Sequence, residues 1–215
     1  YADKKIDQSH LDLASTKRIH IVGVGGPGMS AIATVLAEMG HIVSGSDVRQ
    51  SEIIDRLQQV GVQVNLGHKA SVVEDCDFVT GSPAIAASNI EYQHARSIKV
   101  AIATRAQTLA QICKRATSIG VAGTHGKTTT SSMLATILIS AGKNPSFLIG
   151  GDVVSLGRGA TWTGGELFVV EADESDGSFL YLPAVYGAIT NIDADHLDHY
   201  GSLDKIDDAF CAFVA

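Results

Sequence analysis

The residues of this chain that are best equipped for chemistry fall in short runs, each at the end of an apolar stretch. Gly123-Thr124-His125-Gly126-Lys127-Thr128-Thr129 follows Ile119–Ala122 and precedes a long stretch with helical apolar spacing. Gly-Lys-Thr at a strand-to-helix junction wraps backbone N–H groups around a phosphate and sends the lysine to its β and γ oxygens. Thr128 then offers a hydroxyl to Mg²⁺. The usual spacing has a glycine five residues before Gly126, where this chain has Val121, so the loop is a short variant.

Two further runs carry metal chemistry. Leu167–Val170 empties into Glu171-Ala172-Asp173-Glu174-Ser175-Asp176, four carboxylates within six residues. Such groups repel one another unless solvated or bound to cations, and hard cations such as Mg²⁺ prefer these oxygens. A buried strand ending there beside a phosphate loop favours metal work over a merely solvated acidic turn. The apolar run Tyr186–Ile189 leads to Thr190–Tyr200, in which His196 stands among Asp195 and Asp198. His196 is a candidate metal ligand. Mg²⁺ on ATP does not ordinarily need a histidine, so His196 points to a second ion.

Gly23-x-Gly25-x-x-Gly28 lies between an apolar run and a helical stripe, the context of a dinucleotide-binding turn. Gly23 allows the tight turn, Gly25 lets the backbone approach a diphosphate, and Gly28 permits close helix packing. Gly26 removes one more side chain from the loop. The diphosphate would rest on the helix N-terminus. Asp47 ends the next strand about 20 residues on, placed to accept from a ribose or a base. On this motif alone the nucleotide stays open, NAD included.

The elements needed to position these runs can be read from apolar spacing. Strands are expected at 18–24, 42–47, 62–64, 78–79 and 100–103, with helices through Met29–Met39, through Ile53, Leu57 and Val60, and at 88–97 and 105–114. Alternation of this kind predicts a Rossmann-like parallel α/β domain over 1–117. The pattern restarts at Ile119. A helix through Met133, Leu134, Ile137, Leu138 and Ala141, a Gly-rich stretch of hairpins or loops at 150–165, and buried strands at 167–170 and 186–189 predict a P-loop ATPase α/β domain over 118–215. The boundary falls near 115–118. Tyr1 in place of Met, and the uncapped stripe Ile206, Phe210, Phe213 and Val214, suggest a chain cut at both ends with its second domain incomplete.

Composition removes several classes. Sixteen basic against 23 acidic residues give a net charge of −7, with no basic block to hold nucleic acid. No apolar run approaches the roughly 20 residues that span a bilayer, and no secretory segment opens the chain. Three scattered cysteines suggest neither a disulfide framework nor a CxxC metal site. The expectation is a cytoplasmic protein whose oligomeric state is open.

From about Arg18 to Ala215 the chain resembles the Mur ligases of peptidoglycan synthesis. Four ordered motifs carry the resemblance: Gly23-Val-Gly-Gly-Pro-Gly-Met-Ser30, Gly123-Thr-His-Gly-Lys-Thr-Thr129, Glu171-Ala-Asp-Glu-Ser-Asp176 and Asn191-x-x-x-Asp-His196. His125 and the Gly-Gly-x-Gly-Met-Ser run look like the alanine-adding branch, with Pro27 a minor departure. The resemblance implies a uridine-nucleotide domain, an ATPase domain and an amino-acid domain, the last absent here, so that this fragment is inactive alone. It implies an ATP-dependent ligase acting on UDP-N-acetylmuramate and L-alanine through an acyl phosphate. Gly23, Gly25, Gly26, Gly28, Met29, Ser30 and Asp47 would then serve a UDP-sugar, with Ser82 and Arg105 as further contacts. One Mg²⁺ is implied on Thr128 and a second on Glu171 and His196, with Lys127, Glu171 and His196 catalytic. Three rivals remain: a ligase adding a preformed peptide to the same sugar nucleotide, an NAD(P)-dependent oxidoreductase, and a non-catalytic nucleotide-binding module.

Overall fold

The computed structural model describes residues 11–151, 153–175 and 177–214, so Tyr1, Asp176 and Ala215 lie outside it. The chain divides into two compact units, Tyr1–Arg115 and Ala116–Ala215.

In the first unit, β-branched apolar runs form five strands: β1 (Arg18–Val22), β2 (Ile42–Asp47), β3 (Gln63–Leu66), β4 (Phe78–Gly81) and β5 (Ala101–Ile102). Every pair is parallel, in the order β3-β2-β1-β4-β5, with Ile19 opposite both Val43 and Phe78. The helices α1 (Pro27–Glu38), α2 (Glu52–Gln59) and α3 (Ile90–Ser97) make crossovers, a 3-10 turn at Ala70–Val73 lies between β3 and β4, and α4 (Arg105–Cys113) follows β5. The chain leaves β1 in one direction for β2 and later in the other for β4, and ligands of open α/β sheets bind at such a switch point. Gly23–Gly28 follows β1 and Ser82 follows β4, both at that point.

Local chemistry fixes the helix ends. Pro27 opens α1, where its missing N–H is no loss. Gly40, at φ +89°, turns the chain out of it. Thr104 and Gln107 close a reciprocal capping box on α4. The stripe of α2 differs from expectation: Ile54 and Leu57 are its buried residues, and Val60 is exposed. The third strand also runs later than 62–64.

In the second unit, β6 (Thr117–Ala122), β7 (Ser146–Leu148), β8 (Ala160–Thr161), β9 (Leu167–Glu171) and β10 (Tyr186–Ile189) line up as β10-β6-β9-β7-β8. Only β7 with β8 is antiparallel. Helix α5 (Lys127–Ser140) covers one face, where Ala135 packs with Phe147, Ile149, Val153 and Val169. The short α6 (Leu197–Tyr200) leads to α7 (Leu203–Val214), whose Ile206 and Phe210 close the other face with Ala122, Ala172 and Phe179.

One expectation fails on exposure. Tyr186–Ile189 is a strand but not a buried one: β10 is the last strand of the sheet, and Tyr186 is 61% exposed. Met133 and Ile137 lie on the outer face of α5, each 59% exposed, while Ser131 and Ala135 face the sheet.

Candidate functional site

The loop between β6 and α5 is shaped by glycine. Gly123 has φ +131°, and a Cβ there would collide with the Thr190 hydroxyl. Gly126, at φ +81°, caps α5 without a side chain, so the first-turn N–H groups face outward uncapped. The segment after β10 braces this loop. Asn191 accepts from the His125 N–H at 3.0 Å and donates to the His125 carbonyl at 2.9 Å. Thr190 donates to the same carbonyl at 2.6 Å, and the Asp193 N–H donates to the Thr124 hydroxyl at 2.9 Å.

Lys127 Nζ donates to the Gly123 carbonyl at 2.8 Å, to the Thr124 carbonyl at 3.3 Å and to Glu174 Oε1 at 2.8 Å. Thr128 donates to Glu171 Oε1 at 3.0 Å, and Glu171 Oε2 accepts from the Gly150 N–H at 2.8 Å. A Cβ at Gly150 would stand 3.0 Å from that carboxylate. The phosphate loop and the end of β9 therefore meet, as parallel neighbours β6 and β9 require.

His196 is brought to this edge but to a different carboxylate. Its Nε2 lies 3.7 Å from Glu174 Oε1 and 3.9 Å from Asp195 Oδ2. Its backbone is left-handed, φ 52°, a conformation of non-glycine residues that clusters at functional sites. Among the described residues no set of three or more His, Cys, Asp and Glu side chains forms a metal centre. Thr128 and Glu171 together suit Mg²⁺, which takes one or two protein oxygens and completes its shell with water and phosphate. Glu171 thus stands beside Thr128, and His196 beside Glu174.

In the first unit, Asp47 Oδ2 accepts from the Gly25 N–H at 2.9 Å, so this carboxylate braces the glycine turn. A Cβ on Gly28 would stand 2.7 Å from Arg105 Nη1, and one on Gly23 would stand 3.3 Å from Ser82 Cβ. Arg105 and Ser82 are thereby placed against the loop, and the guanidinium suits a diphosphate. Gly26 leaves the N-terminus of α1 without a side-chain cap. Met29 is 2% exposed and belongs to the core, and Ser30 turns its hydroxyl back to the Pro27 carbonyl at 3.0 Å.

Sequence reasoning missed what holds β2 in place. Glu91, in the first turn of α3, is fully buried and accepts from Ser46 Oγ at 2.6 Å and from the Lys69 N–H at 3.1 Å. His68 Nδ1 is 3.2 Å away and His20 Nε2 3.5 Å. Burial pushes the Glu91 carboxyl up, but the His20 ring beside it, the Ser46 hydroxyl and the Lys69 N–H outweigh it and hold it below its ordinary value. The Ser46 carbonyl in turn holds the N–H groups of Gly23 and Val24 at 2.9 and 3.0 Å. The network thus supports the glycine turn from below.

One sheet of the chain ends in a glycine turn and the other in a loop of the lysine-threonine phosphate-binding type. Residues 18–117 match the Mur ligase family, catalytic domain, and residues 121–215 match the Mur ligase middle domain. The chain belongs to the Mur ligase family. It is 49% identical over 198 residues to a UDP-N-acetylmuramate–L-alanine ligase of Geotalea daltonii, covering 92% of this chain and 43% of that protein. The corresponding protein of Solidesulfovibrio magneticus is 46% identical over 198 residues, with the same coverage. Among solved structures, the UDP-N-acetylmuramate-alanine ligase of Thermotoga maritima matches with TM-score 0.81 and 35% identity, over 92% of this chain and 46% of that one. A UDP-N-acetylmuramate:L-alanyl-γ-D-glutamyl-meso-diaminopimelate ligase from Neisseria meningitides matches with TM-score 0.82 and 30% identity, over 93% and 68%. This chain spans less than half the length of the curated relatives.

Proposed function

We propose that this chain supplies the sugar-nucleotide-binding and ATP-binding parts of a ligase that joins L-alanine to the carboxylate of UDP-N-acetylmuramate. The observation that carries the reading is the loop Gly123–Thr129, with Thr128 beside Glu171 at the ends of β6 and β9 and Lys127 beside Glu174. In the first unit, the Gly23–Ser30 turn with Asp47, Ser82 and Arg105 receives the uridine diphosphate. An NAD(P) reading of that turn leaves Lys127, Glu171 and His196 without work.

A carboxylate is a poor electrophile in water. Transfer of the γ-phosphoryl group to it gives an acyl phosphate, which the amine of alanine attacks, releasing phosphate. Such transfer depends chiefly on positioning and charge neutralisation. At 4 Å and an effective dielectric of 20, each pair of like unit charges costs about 4 kcal/mol, so two anions meet only if cations surround them. Lys127 supplies one fixed positive charge. Thr128 and Glu171 would hold Mg²⁺, and a second ion is expected between Glu171 and His196. Bound Mg²⁺ supplies further neutralisation of the phosphate oxygens. Backbone N–H groups of the first turn of α5 fix the phosphates in line.

Among the described residues no helix is long and apolar enough to cross a membrane, and the proposed use of ATP fits a reaction in the cytoplasm. The peptide-adding ligase shares the fold, as the Neisseria structure shows. Among the solved structures the identity to the alanine ligase is 35% against 30% for the peptide-adding one, and alanine ligases among the curated relatives reach 49%, which favours alanine. The test is phosphate release by the full-length protein with ATP, Mg²⁺ and UDP-N-acetylmuramate. Release dependent on L-alanine is expected, and release dependent on the tripeptide alone would assign the other activity.

A further inference from the structure

Glu174 has no part in the usual phosphate loop, yet among the described residues it is the buried carboxylate of the second unit, 2% exposed. Its carbonyl accepts from the Tyr200 hydroxyl at 2.5 Å and from the Gly177 N–H at 3.0 Å, so its backbone is pinned. Its Oε2 has no hydrogen-bond partner, and its Oε1 takes Lys127 Nζ at 2.8 Å. A lysine ammonium has three protons to give. Lys127 gives them to the Gly123 carbonyl, the Thr124 carbonyl and Glu174, so all three are already spent. A phosphate arriving at the loop must displace one of these acceptors. Two are loop carbonyls, and Glu174 is the one that carries charge and lies outside the loop.

We infer that Glu174 is the resident counter-ion of Lys127, competing with the terminal phosphate of the nucleotide for the ammonium and thereby setting ATP affinity. It is a positioning residue, acting through Lys127, and the inference rests on the ATP reading above. The exchange is feasible because His196 Nε2 stands 3.7 Å from the same Glu174 oxygen and remains beside it when the ammonium turns away. A buried carboxylate stripped of every partner would resist the exchange.

The test uses the full-length protein. Glu174→Gln keeps the shape of the side chain and removes its charge, and hydrogen bonds to charged groups are stronger than neutral ones. The KM for ATP and the Kd of a non-hydrolysable ATP analogue should each fall about fivefold, with kcat moving less than KM. In a Lys127→Ala background the same substitution should leave the analogue's Kd unchanged, since the competition has lost its object. If Glu174→Gln does not fold, Glu174→Asp, which withdraws the carboxylate by one methylene, should shift both constants in the same direction. Unchanged or weaker analogue binding in the folded variant overturns the inference, as does an equal effect in both backgrounds. A wild-type protein that fails to bind the analogue at all overturns the ATP reading and the inference with it.

Discussion

At the scale of single residues, the site depends on a few atoms whose neighbours leave little freedom. Lys127 is the positive charge of the phosphate loop, and loss of one positioned charge contact at a transition state typically costs about 10²–10³ in rate. Lys127→Ala should lower kcat of the full-length enzyme by that factor while the circular dichroism spectrum is unchanged. Near-normal turnover would remove the loop from the chemistry. Gly123→Ala should fail differently, through stability. Its φ of +131° and the Thr190 hydroxyl in the path of a Cβ make it intolerant, with a loss of about 1–3 kcal/mol in urea unfolding. Lys127 and Gly123 were legible because their types and spacing belong to one loop chemistry. Glu174 was not: it is one of four acidic residues in six, and burial, which sequence does not show, sets it apart.

At the scale of elements, β1, β4, β6 and β9 could be read from apolar runs because each is central in its sheet and largely buried. The runs said less at the edges. β10 has the same composition as a central strand, but its place at the end of β10-β6-β9-β7-β8 leaves it exposed. The three-residue β7 escaped notice because Ser146-Phe147-Leu148 is too short to show a period. On α5 apolar residues lie all round, so spacing could not tell the sheet-facing side from the outer one. The Glu91 network escaped for a further reason. A glutamate in the first turn of a helix ordinarily faces water and the dipole, whereas here His20, Ser46 and Lys69 meet it inside. Removing it leaves buried donors unpaired, each at about 1–3 kcal/mol. Glu91→Leu should therefore lower stability by about 3 kcal/mol in urea unfolding and weaken sugar-nucleotide binding through the Gly23–Gly28 turn. Wild-type stability in this variant would show that the network holds nothing.

For the whole molecule, two groups of the first unit make it sensitive to acid. His41 accepts the Lys17 N–H on Nδ1 at 3.2 Å. Burial first, then Arg115 and Lys17, hold its pKa below the ordinary 6.5. Glu91 is likewise held below its ordinary 4.5. In both cases the unfolded chain binds the proton more readily, so stability is full above the ordinary value and falls as pH drops through the folded one. The melting temperature should therefore begin to fall below about pH 6.5, through His41, and fall further below about pH 4.5, through Glu91. His41→Gln should remove the first decline and leave the second. A flat profile between pH 7 and 4 would contradict both assignments.

The central claim is that the two glycine loops serve two different nucleotides, a uridine sugar nucleotide on the first and ATP on the second. Isothermal calorimetry of the wild-type protein and of Lys127→Ala, titrated with UDP-N-acetylmuramate, ATP with Mg²⁺ and NAD, tests it directly. The account predicts that UDP-N-acetylmuramate binds both proteins alike, that the substitution weakens ATP alone, and that NAD gives no heat. NAD binding without uridine-nucleotide binding, or equal loss of both nucleotides in Lys127→Ala, would contradict it.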